Sequence, residues 1–253
     1  MKIKKVLMGM VASASLLVGA STISSNNVVK AESVETIYNR ANKTKMHSYH
    51  IKQEMTMSAK GKKRHVKQNM FFNVKTNVAK ATNTDGKTTV HMWMNNKYEY
   101  VKVKNHWYKM KLPVNLKQTM KQAKSLSKSM KGSFLGLNNN LIKNATLSTS
   151  GNNYVLSIAN NSVTNNQMVN VITNVTKNLG FDSDLLENTK ITNLTFTEIV
   201  NKKTKNLKKI NTTVSYNIGN MINTKTTQSI DGINKYNNLK VPKSIVKHAK
   251  LIK

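Results

Sequence analysis

The sequence predicts an α+β fold: one large antiparallel sheet of about eleven strands, interrupted by three helices. Three observations carry this. Apolar and polar residues alternate over most of the chain, as in "EMTMSAKGKKRHVKQNMFF" (Glu54 to Phe72), where Met55 and Met57 precede a turn and Met70 and Phe72 follow it. A spacing of two is a strand signature, because successive side chains of a strand point to opposite faces. Turn residues such as Gly61, Asp85-Gly86, Asn95-Asn96 and Gly151-Asn152-Asn153 punctuate these runs at short intervals. Three other stretches carry the 3.6-residue stripe of an amphipathic helix instead.

Residues 1–31 read as a secretory signal peptide. Lys2, Lys4 and Lys5 form its basic start, Val6 to Ala20 its apolar run, and Val29-Lys30-Ala31 puts small residues at the −3 and −1 positions, so cleavage is expected after Ala31. The apolar run is short for a membrane span of ~20 residues. No later segment approaches one, and residues 32–253 are expected to form a single domain.

That domain opens with a helix. Ser33 is placed to cap it, Val34, Ile37, Tyr38 and Ala41 form its stripe, and its end is expected near Met46. A meander of six strands follows. The first places Tyr49, Ile51, Met55 and Met57 on one face and His50, Lys52, Glu54 and Thr56 on the other, and Gly61-Lys62-Lys63 turns the chain. Val66 to Val74, Val78 to Thr84, Thr88 to Met94, Tyr98 to Val103 and His106 to Met110 continue it. After Pro113, Leu116, Met120, Ala123 and Met130 predict a second helix. A hairpin (Ala145 to Thr149, Tyr154 to Ala159) precedes a third helix striped by Met168, Val171, Ile172, Val175 and Leu179. Lys190 to Asn201, Asn206 to Asn217 and Met221 to Ile230 close the sheet.

Composition narrows the function. The formal charge is +31, from 41 Lys+Arg against 10 Asp+Glu, and removal of the leader takes four lysines with it, leaving +27. A chain this basic, once exported, meets anionic wall polymers or phospholipid headgroups before nucleic acid. No nucleic-acid motif is present and arginine is confined to Arg40 and Arg64, so no nucleic-acid partner is expected. There is no cysteine, hence no disulfide, thiolate metal site or cysteine nucleophile. Most acids have a place at a helix start, hairpin turn or strand face; only Asp182, Asp184 and Glu187 cluster, in a stretch that reads as a capping turn or as an oxygen-rich cation loop lacking the glycine of a true Ca2+ loop. His47 and His50 are three apart but enter a strand rather than share a helical face. No HExxH, GxSxG, GxxxxGK[ST] or GxGxxG occurs. We expect no enzyme activity, no cofactor, no metal and a monomer.

The element order resembles the outer-membrane lipoprotein carrier fold and its mycobacterial and Gram-positive relatives. "KMHSYHIKQEMTMSAKG" (Lys45 to Gly61), "NNKYEYVKVKNHWYKM" (Asn95 to Met110) and "LKVPKSIVKHAK" (Leu239 to Lys250) resemble the helix-to-strand entry, paired strands and closing segment of a Gram-positive family of secreted proteins and lipoproteins of unknown function. Those relatives often carry a lipid-anchored cysteine, which this chain lacks. The resemblance implies a sheet curved into a half-barrel, three helices on its concave side, and lipid held between them.

The methionines admit two readings: ordinary core, or a soft surface for variable acyl chains. On the second reading a hydrophobic groove is lined by Tyr49, Ile51, Met55, Met57, Met70, Phe72, Val90, Met92 and Met94 from the sheet, and by Met120, Met168, Val171, Ile172 and Val175 from the helices. The expected partners are a lipid or other amphiphile, with anionic wall polymers or headgroups at the lysines. The alternatives are a basic protein retained electrostatically at the wall, and a module that shelters an apolar peptide or an exported lipoprotein.

Overall fold

The computed structural model describes residues 32–112, 145–159, 189–218 and 222–252. Helix α1 is Val34–Ala41. Ser33 caps it, its hydroxyl accepting from the Thr36 N–H at 3.2 Å, and Ile37, Tyr38 and Ala41 are buried beneath it. It ends before the expected Met46. The Lys43 and Thr44 N–H groups turn back to the Arg40 and Ala41 carbonyls, tightening the last turn. The Asn234 side chain then accepts from the His47 N–H at 2.7 Å and donates to the Lys45 carbonyl at 2.8 Å, which draws the chain out into a strand.

The strands are β1 (Ser48–Ala59), β2 (Lys62–Asn73), β3 (Val78–Asp85), β4 (Thr88–Met94), β5 (Tyr98–Val103), β6 (His106–Lys111), β7 (Thr146–Ser150), β8 (Asn153–Ala159), β9 (Thr189–Asn201), β10 (Leu207–Ile218) and β11 (Ile222–Asp231). The β1–β2 turn is Lys60-Gly61, with φ of 48° and 73°, one residue before the turn the sequence predicted. Positive φ at both positions matches the twist of a two-residue hairpin, and glycine adopts it without steric cost.

A short helix α2 (Lys243–His248) and a two-residue strand β12 (Lys250–Leu251) end the described chain. All twelve strands form one sheet in the order β12-β6-β5-β4-β3-β2-β1-β11-β10-β9-β8-β7. β1 lies at its centre, paired with β2 on one side and with β11 on the other.

Two expectations need correction. The sheet is mixed rather than wholly antiparallel, because β12 pairs parallel to the edge strand β6. The tail after β11 crosses the sheet and satisfies part of that edge, where the Ile252 N–H donates to the Lys109 carbonyl at 2.9 Å. Three helices on one side are not what the described residues contain: α1 is one of them, α2 was not expected and packs on the opposite face, and the second and third expected helices fall outside the described residues.

The two faces differ. On the face under α1, a core joins Ile37, Tyr38 and Ala41 to Ile51, Met70, Met92, Phe196, Ile210 and Ile230. On the other, Tyr100 packs with Ile245 and Ala249 of the tail, beside Trp93 and Trp107. There His50 stacks on Phe71 at 4.3 Å, edge-on to Tyr236, and donates from Nδ1 to Asp231 at 2.8 Å.

Candidate functional site: the α1 face of the sheet

Register places side chains of this face in rows across the strands, within contact of their lateral neighbours. One row runs Tyr108, Val101, Met92, Ala81, Met70, Ile51, Ile230, Ile210, Glu198, Leu156, Leu147. Beside it run Tyr49, Phe72, Ala79, Met94, Glu99 and Met110. On the other flank the row is Val90, Asn83, Gln68, Gln53, Gln228, Thr212, Phe196 and Ile158. Beyond that, Met55 lies between Val66 and Thr226, and Met57 between Arg64 and Thr224.

This geometry makes a lane. β3 offers only Ala79 and Ala81 in the first two rows, while β2 raises Phe72 and Met70 on one side and β4 raises Met94 and Met92 on the other. Small residues thus stand between flexible, polarisable ones, and Ala79, Ala81, Met70 and Met92 are all buried. Tyr49 and Phe72 stack at 5.1 Å at one end.

The sheet residues expected to line a groove all stand on this face, but they divide by burial. Ile51, Met70 and Met92 are core. Tyr49, Phe72 and Val90 are half-buried against that core, and Met55, Met57 and Met94 are half-buried as well. Met120, Met168, Val171, Ile172 and Val175 lie outside the described residues. So do Asp182, Asp184 and Glu187; among the described residues no group of acids and histidines is placed to hold a metal.

Polar groups on this face escaped the sequence reading. Gln53, Gln68, Gln228, Thr212 and Thr226 are buried there, and Gln228 Nε2 donates to Gln53 Oε1 at 3.4 Å. Among the described residues the Thr212 and Thr226 hydroxyls and the Asn83 carbonyl oxygen are buried with no hydrogen-bond partner, as are both carboxylate oxygens of Glu99 and of Glu198. Glu99 is 1% exposed and Glu198 fully enclosed. Burial disfavours their charged forms, pushing Glu99 up to about 7 and Glu198 up to about 8. It also pushes the Tyr49 phenol up to about 12. The signal was strand parity. Glu198 continues Leu194 and Phe196 towards Val200, and Glu99 precedes Val101 by two, so each carboxyl faces the same way as a buried apolar residue.

The remaining described acids behave differently. Glu32 meets Arg40, Lys205 and the Tyr154 hydroxyl, which hold its carboxyl below the ordinary range, chiefly through Lys205. Arg64 does the same for Asp85, donating to it from Nε at 3.0 Å. Glu54 lies within 3.7 Å of Lys67 and 3.8 Å of His65. Among the described residues no helix is long and apolar enough to cross a membrane.

No curated protein matches the chain by sequence. Among solved structures, it is similar to LprF from Mycobacterium bovis, at 12% identity over 83% of this chain and 94% of that one, with a TM-score of 0.41. It is also similar to a domain named for outer membrane lipoprotein sorting from Vibrio parahaemolyticus, at 8% identity over 78% and 89% of the two chains and a TM-score of 0.23. A DUF1329 family protein from Desulfovibrio piger matches at 8% identity over 80% and 92%, with a TM-score of 0.22. Residues 20–250 match a family model, and the chain therefore belongs to that family, DUF6612, a family of unknown function.

Proposed function

We propose that this chain is an exported, non-enzymatic binding protein that holds a lipid or other amphiphile on the α1 face of its sheet. The carrying observation is the make-up of that face. The Ala79–Ala81 lane, walled by methionine and phenylalanine, adjoins a row in which the Asn83 amide oxygen and the Thr212 hydroxyl are buried without partners among the described residues. Apolar walls suit an alkyl chain, and polar atoms without partners in a dry environment favour a ligand that supplies hydrogen bonds. A closed structural core would favour β-branched residues in the lane walls and paired polar groups beside it.

Titration with an apolar fluorescent probe tests the reading. Saturable binding that a long-chain alcohol displaces is the expected result. An absence of binding by folded protein would reduce the face to core.

Electrostatic retention at an anionic wall is a second reading, favoured by one observation. Of the seven described acids, four are paired with a base and two are buried, which leaves Glu35 alone exposed without a base partner among the described residues, against a formal charge of +31. The two readings are compatible, because the lysines flanking β3 to β6 stand on the other face.

A further inference from the structure

We propose that Glu99 is the polar anchor of the α1 face and selects an amphiphile whose head is a protonated amine on an alkyl chain. The inference rests on the amphiphile reading above and names its ligand class. The argument starts from scarcity. In a chain with 41 Lys+Arg and 10 Asp+Glu, any carboxylate has bases to choose from. Glu32, Glu54, Asp85 and Asp231 each have one. Among the described residues Glu99 has none, and neither of its oxygens has a hydrogen-bond partner there, although the side chain is 1% exposed.

Strand parity explains why the described neighbours supply no counter-charge. Lys80 of β3, Lys102 of β5, and Lys109 and Lys111 of β6 all alternate onto the opposite face. There Lys80 lies over the Phe71 and Trp93 rings, and Lys109 lies over Tyr98 and donates to the Val246 carbonyl. Lys97 is exposed in the turn before β5. Around Glu99 in register stand Met94 and Met110, with Val101 two residues on. A carboxyl in such surroundings gains most from a ligand cation that brings its own N–H donors. The lane between Met94 and Phe72 begins one strand away and would take the alkyl chain. Glu198 is not a second copy of this site, since α1 and the core enclose it beside Tyr38.

The chemistry runs against the protein's overall charge, which makes it discriminating. Dodecylamine, dodecanol and dodecanoate, each below its micelle concentration, are titrated into the full mature chain by calorimetry. The inference expects the amine to bind most tightly, despite repulsion from a highly basic protein. Glu99→Gln keeps the shape of the side chain and removes its charge. It is expected to weaken the amine about tenfold or more and dodecanol by much less. Dodecanoate preferred over the amine by the unaltered protein would overturn the inference without recourse to any variant, and so would equal amine affinity in Glu99→Gln. If dodecanol binds and the amine is not preferred, the anchor alone falls. If no C12 chain binds, the amphiphile reading falls with it.

Discussion

Tyr38 of α1 lies close enough to Glu198 of β9 for the carboxylate charge to add to burial in holding the phenol above its ordinary pKa. Beneath α1 the two groups share a dry environment, and Glu198 is stable there chiefly as the neutral acid. Folding is therefore linked to protonation. The folded chain keeps the Glu198 proton up to about pH 8, whereas a glutamate in the unfolded chain releases it near its ordinary 4.5. A raised acid contributes stability that is full below the lower value and is lost as pH rises through this window, and a difference of that size is worth a few kcal/mol. The melting temperature should fall between pH 5 and about 8, Glu99 sharing the fall up to about pH 7, and Glu198→Gln should make the profile shallower and nearly flat above pH 7. A parallel pH profile in the variant would assign the slope to other groups.

The half-buried and buried methionines should separate in mutants. Met92→Gln puts an amide into the core and should cost roughly 1–3 kcal/mol, the mutational scale for an unpaired polar group. Met57→Gln, at a half-buried site, should cost less than ~1 kcal/mol on the same reasoning. Met94→Gln, on the wall of the lane, should weaken probe binding more than it lowers the melting temperature. Urea melts and probe titrations on the three single variants measure both quantities.

The tail is pinned where it leaves β11. Gly232 has φ of +59°, and a Cβ added there would lie 2.5 Å from Cε2 of Tyr236. The Tyr236 ring is held edge-on against Phe71 and His50, so it has little room to yield. Gly232→Ala should destabilise the chain by about 1–3 kcal/mol, from left-handed strain plus the clash. Protease cleavage within residues 233–249 should speed up before global unfolding. Unchanged cleavage there would mean the tail tolerates the shift.

Charge gives a simpler test. Residues 32–253 should bind isolated anionic cell walls at low salt and leave near molar salt, where the Debye length is ~3 Å. Retention in molar salt would mean a specific wall site instead of dispersed lysines.

Much of the sheet was legible because alternation is a local signal. Met55, Met57, Met70 and Phe72 fixed their shared face from spacing alone, whereas the hairpin turn expected at Asp85-Gly86 falls one residue on, at Gly86-Lys87, with Asp85 paired to Thr88. What alternation cannot carry is partnership. The pairing of β1 with β11 joins residues about 180 apart, and the parallel strand at Lys250–Leu251 is too short to show a period. Gln53, Gln68 and Thr212 occupy core positions on strands whose neighbours are apolar, so a pattern based on hydrophobicity misses them. Glu99 and Glu198 were read as ordinary strand acids for the same reason. Their burial follows from the register of strands β4 to β6 and β8 to β10, which composition does not contain.

Native mass spectrometry of residues 32–253, made in a bacterial host and never exposed to detergent, tests the central claim most directly. The account predicts a fraction of molecules carrying extra mass equal to one lipid or amphiphile, released by the same long-chain alcohol that displaces the probe. Bare protein mass throughout, together with no probe binding by the folded chain, would contradict it and leave the methionine face as core.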